Sequence, residues 1–126
     1  MNDLAVFRIG HERARWLGAR VAVVASNVAN ADTPEYRARD ISPFDAVLGE
    51  ARFEMRRSSP SHLTPPQELE TRFGVRLREG ATEKHSGNSV FLEAEMAALG
   101  EVKGQQSAVT AILGSFHRLL LSSTRG

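Results

Sequence analysis

The chain contains no cysteine. This removes disulfide frameworks, thiolate nucleophiles and cysteine-ligated metals, while leaving the compartment open. Aromatic residues make up only 6% of the 126 residues, with one tryptophan and one tyrosine. Neither sign of charge dominates: 16 Lys and Arg stand against 15 Asp and Glu, a net charge of +1. Affinity for nucleic acid drawn from a basic surface needs an excess of Lys and Arg, so no nucleic-acid partner is expected. The longest apolar run, Val21 to Ala25, is far too short to span a bilayer, as is Leu119 to Leu121, so no direct membrane insertion is expected either. Met1-Asn2-Asp3-Leu4 lacks the basic start and apolar stretch of a cleavable signal.

Proline is present but confined. Pro34, Pro43, Pro60, Pro65 and Pro66 are all the prolines in the chain. Each removes a backbone donor and clashes with the preceding turn, so residues 34 to 66 cannot form one long helix. The expected order is helix, broken middle, helix.

The first segment carries a heptad pattern. Phe7, Ala14, Val21 and Val28 recur every seven residues, with Leu17, Val24 and Ala31 as the companion seam. Asn2 or Asp3 suits the cap, and Asn30-Ala31-Asp32-Thr33-Pro34 supplies the stop. This predicts a helix over residues 4–30, about 40 Å long at 1.5 Å per residue. The last segment repeats the pattern: Leu92, Leu99, Leu113 and Leu120 form one series, Val102, Val109 and Phe116 the other. Gln106 interrupts the first series and Glu95 opens the second with a charge. Glu93, Glu95 and Glu101 precede Arg118 and Arg125, an order that complements the helix dipole. With Ser86-Gly87-Asn88-Ser89 as a start signal, a helix is predicted over residues 89–122.

Between them, residues 31–88 read as an irregular middle segment, partly disordered alone. Pro43 to Leu48 suits one or two helical turns, Phe73, Val75 and Leu77 alternate as in a short strand, and residues 56–68 read as a loop. The expected fold is mainly α. Long N- and C-terminal helices pair as an antiparallel coiled-coil-like hairpin, with a proline-containing middle and a short β element, in one unit spanning 1–126.

Small residues crowd the remaining helix faces: Gly10, Gly18, Ala22, Ala25 and Ala29 in the first helix, and Ala97, Ala98, Gly100, Gly104, Ala108, Ala111 and Gly114 in the last. Three glycines in one helix sacrifice about 3 kcal/mol relative to alanine. Either glycine is merely tolerated there, or backbones of several neighbours approach closely. The second reading accounts for both ends sharing the habit, and it predicts termini that order on assembly.

Chemistry finds no foothold. His11, His62, His85 and His117 lack metal-ligand spacing with one another, and Glu93 and Glu95 lie on different sides of a helix. No phosphate-binding glycine loop and no nucleophile elbow occurs. No catalytic residue, cofactor or metal is therefore assigned. Trp16 reads as a packing anchor beside Leu17.

The stretch Ala25-Ser26-Asn27-Val28-Ala29-Asn30-Ala31-Asp32-Thr33-Pro34-Glu35-Tyr36-Arg37-Ala38-Arg39-Asp40 resembles the signature of bacterial flagellar axial proteins, the rod, hook and hook-associated family. Its Ala-Asp-Thr-Pro continuation and the following Tyr-Arg-Ala-Arg-Asp are most similar to proximal-rod members. Gly87-Asn88-Ser89-Val90 and Leu92-Glu93 with Glu95-Met96 resemble the entry into that family's C-terminal helix. The one departure is Glu35, where the family usually has glycine. Glutamate there is strained by about 1 kcal/mol if the position needs positive φ.

The resemblance implies a structural subunit of the flagellar basal body. Copies would pack helically around an export channel and transmit torque. Implied partners are further copies and other rod subunits, the ring–rod adaptor, the export gate and the basal-body ring. Implied export is by the flagellar type III apparatus to the periplasmic rod, without a cleavable signal. Ser26, Asn27, Ala29, Asn30, Asp32, Thr33, Pro34 and Tyr36 carry the motif. Asn27 and Asn30 would close the helix and contact neighbouring subunits. Phe7, Leu17, Val21, Val24, Val28, Leu99, Val102, Val109, Leu113, Phe116 and Leu120 would form the assembly seams. The competing readings are another proximal-rod subunit and, from a different class, a cytoplasmic helical-hairpin adaptor or export chaperone.

Overall fold

The computed structural model describes residues 2–54 and 73–126. Its elements in chain order are α1 (Asn2–Ala29), β1 (Arg39–Ile41), α2 (Phe44–Glu54), β2 (Val75–Leu77) and α3 (Leu92–Arg125). The loop expected over 56–68 and the side chains of Asn2 and Asp3 lie outside the described residues.

The two long helices run antiparallel, as the paired heptads predict. Phe7 meets Phe116 edge-on with ring centroids 6.0 Å apart, and Asn27 at the other end of α1 meets Glu95 near the start of α3. At Gly10 the helices come so close that an added Cβ would lie 2.5 Å from a Leu113 methyl. No described helix is long and apolar enough to cross a membrane.

α3 begins three residues later than expected and stays helical to Arg125. Asn88 and Ser89, which read as caps, are used elsewhere. Asn88 donates to the Asn30 and Thr33 carbonyls at 2.9 and 2.6 Å, and Ser89 Oγ accepts from the Ala38 amide at 2.8 Å. The residue before the helix is Phe91, whose side chain provides no cap bond.

The middle holds more order than its composition suggests. α2 begins directly after Pro43, whose carbonyl accepts from the Ala46 and Val47 amides, and it runs for 11 residues rather than one or two turns. β2 forms where the alternation predicts a strand. It pairs antiparallel with β1, in the register Arg39 with Leu77 and Ile41 with Val75. β1 has only three residues, two of them charged, and so carries no period-two signature.

Where these elements meet, a core forms from Trp16, Leu17, Ala19, Val23, Ile41, Phe73 and Val102. Trp16 Nε1 donates to the Ser42 carbonyl at 2.8 Å, so the indole tethers α1 to the chain between β1 and α2. A second, smaller cluster of Ala31, Ala38 and Val90, flanked by Tyr36, seals the turn below α1.

Candidate assembly interface

The motif residues build one turn. Asn30 Nδ2 donates to the Ser26 carbonyl at 2.8 Å, and Thr33 Oγ1 donates to Asn30 Oδ1 at 3.2 Å. These bonds satisfy groups that the end of a helix leaves open. Ser26 lies 3.4 Å from the Tyr36 hydroxyl. Ser26, Ala29, Asp32, Thr33 and Pro34 are exposed, and Tyr36 is half-buried.

Asn27 is placed differently from the expected intersubunit role. It is fully buried, and its whole hydrogen-bonding capacity is used inside the subunit. Nδ2 donates to the Arg39 carbonyl at 2.8 Å and to Glu95 Oε2 at 3.0 Å, while Oδ1 accepts from the Arg39 amide at 3.0 Å and the Tyr36 hydroxyl at 3.4 Å. The amide thus acts as a one-residue strand against the outer edge of β1.

Glu95 opens the seam series that continues with Val102, and like Val102 it is buried. Arg78, just past β2, grips both of its oxygens: Nη1 contacts Oε1 and Nη2 lies 3.4 Å from Oε2. Asp40 Oδ2 stands 4.0 Å from the same guanidinium, and Arg20 Nε lies 3.6 Å from Asp40 Oδ1. The Glu95 hydrogen bond is the main reason that the Arg78 pKa rises above its ordinary value. Burial opposes the rise, and the charges of Glu95 and Asp40 add to it. In the sequence Glu95 suits the helix dipole, and Arg78 carries no pattern that marks it as its partner. The available signal was the charge at a seam position, which in a paired helix calls for a buried partner.

Glu35 has φ of 62°, the left-handed region in which glycine is relaxed. Its amide donates to the Ser86 carbonyl at 3.0 Å, and Gly87 packs so tightly that an added Cβ would lie 3.3 Å from Glu35 Cγ.

The seam residues divide along the hairpin. Leu17, Val24 and Val102 are completely buried. Phe7, Val21, Val28, Leu99, Val109, Leu113, Phe116 and Leu120 are only half-buried. Residues 5–15 of α1 and everything after Val102 contain no buried residue. In that half Ile9, Ile112 and Leu119 are 46%, 60% and 64% exposed. An added Cβ at Gly100, Gly104 or Gly114 would meet nothing within 4 Å, so no close approach inside the subunit explains these glycines. Among the described residues no cluster of His, Asp or Glu has the makings of a metal site. His11 donates locally to the Phe7 carbonyl at 2.6 Å.

A sequence profile of the flagella basal body rod protein family matches residues 13–37, which include the motif turn up to Arg37. The flagellar basal body rod protein FlgB of Agrobacterium fabrum (strain C58) is 37% identical over a 130-residue alignment covering 99% of this chain and 96% of the relative. The chain belongs to the FlgB family of flagellar basal-body rod proteins, a structural family.

Proposed function

We propose that this chain is a structural subunit of the proximal rod, finished by its neighbours when it assembles helically around the export channel. Family membership supports the place in the basal body. The observation that supports assembly through the helices is the unfinished half of the hairpin. Over residues 5–15 and 103–126 the paired helices cover no side chain completely and leave Ile9, Ile112 and Leu119 in water. Fully burying a side chain of this kind is worth about 1.5–3 kcal/mol, so covering three of them is a substantial drive to associate. Near-neutral net charge keeps identical copies from repelling one another.

In this reading the subunit has two parts with different jobs. The half around the motif turn is completed within the chain by the core, the two-stranded sheet and the Asn27 network. The other half supplies apolar and small-residue faces for further copies, other rod subunits and the ring–rod adaptor. Export gate and basal-body ring are the neighbours at the base of the rod. The rod's work is passive: a packed shaft transmits torque, and no bond is made or broken. Delivery is by the flagellar type III apparatus to the periplasmic rod.

Hydrogen exchange on the isolated chain and on assembled rods tests the division. Residues 5–12 and 112–125 should exchange fast in the isolated chain and become protected in rods. Equal, strong protection of both halves in the dilute monomer would contradict it.

A further inference from the structure

A carboxylate at a fully buried seam position is costly, because the attraction of its partner has to outweigh the loss of hydration of both charges. Leucine at Glu95 would continue the apolar series of Val102, Val109 and Phe116 without that cost. What the glutamate adds is direction. Its oxygens face Arg78 at the end of β2 on one side and Asn27 of α1 on the other. Asn27 in turn holds both backbone groups of Arg39 in β1. Four separate elements therefore meet at two side chains, each bonded with fixed geometry. Apolar contacts in the core, such as Phe73 among Trp16, Leu17 and Ile41, are strong but non-directional.

We propose that Glu95 and Arg78, acting through Asn27, are positioning residues that seat the two-stranded sheet in one arrangement on the helix pair without adding net stability. The sheet is short, and β2 pairs only with β1 among the described strands, so a charge-assisted clasp is well placed to define its seat. The clasp stands on the fold alone and holds whether or not the subunit belongs in the rod.

The test replaces the charged pair together in the full-length chain, Arg78→Met with Glu95→Leu, leaving Asn27 to hold Arg39. Circular dichroism and thermal melting read the helices. Hydrogen exchange reads the sheet at the amides of Arg78 and Ser42, which bond across the two strands to Ala38 and Gly74. The double variant should keep its helix content and midpoint while exchange at the Arg78 and Ser42 amides accelerates about tenfold or more, with α1 protection around Val24 unchanged. Glu95→Gln keeps one oxygen for Asn27 and Arg78 Nη2 but turns its amide N–H2 toward Arg78 Nη1, so it should restore only part of the sheet protection relative to the double variant. The proposal is overturned if sheet protection is unchanged in the double variant. It is equally overturned if helices and sheet lose protection together, because the pair would then be an ordinary source of stability.

Discussion

Asn27 and Glu95, 68 residues apart in sequence, share a 3.0 Å hydrogen bond in the most completely buried part of the hairpin. This bond joins the family motif to the C-terminal helix and makes the motif turn part of the subunit's own framework. A motif asparagine that faced a neighbouring subunit would be free in the monomer. This one has no free donor or acceptor.

Replacing Asn27 should therefore act on stability before assembly. Asn27→Leu strands the Arg39 amide and carbonyl and removes one of the partners of Glu95. The expected loss is about 2–4 kcal/mol, since each unsatisfied buried group costs about 1–3 kcal/mol. Urea denaturation of the isolated chain measures it. An unchanged midpoint would show that the network is dispensable.

Glu35→Gly should stabilise the turn. It relieves a left-handed glutamate, worth about 1–2 kcal/mol, and loses about 0.4–1 kcal/mol to the freer unfolded chain, leaving a net gain of up to about 1.5 kcal/mol. Gly87→Ala should do the opposite, because φ of 77° and the 3.3 Å approach to Glu35 both oppose a side chain. Paired thermal melts check the opposite signs.

The glycines of α3 separate folding from assembly. Gly104→Ala places its methyl in open space and should stabilise the isolated helix by about 1 kcal/mol. If close neighbours in the rod occupy that space, motility should fall although the subunit is more stable. Motility equal to the parent would mean that this glycine is only tolerated.

Ile112→Asp probes the open half directly. Ile112 is 60% exposed in the subunit, so the isolated chain should keep its stability within about 0.5 kcal/mol. Swimming should be lost with the protein still expressed. Val109→Asp should also abolish motility, but with a loss of subunit stability, because Val109 packs against the core.

Legibility from sequence followed the length of the signal. The heptads of α1 and α3 persist over several repeats and give the antiparallel hairpin, its two seams and nearly the right helix ends. β2 was visible because Phe73, Val75 and Leu77 alternate, whereas β1 is too short and too polar to announce itself. Asn88 and Ser89 have the chemistry of caps, and nothing local reveals that they bond across to Asn30, Thr33 and Ala38 instead. Glu95 suits both a helix start and a buried clasp. Only the approach of Arg78, from a segment with no strong pattern of its own, decides between them. The strain at Glu35 was readable because the flagellar family usually has glycine there.

Isolation of hook–basal bodies tests the proximal-rod role most directly: they are purified from cells carrying a tagged copy of this chain, and the tag is located along the structure. The chain is expected in intact basal bodies, at the base of the rod, with rods missing when the gene is deleted. Basal bodies that are complete and motile without this chain would contradict it.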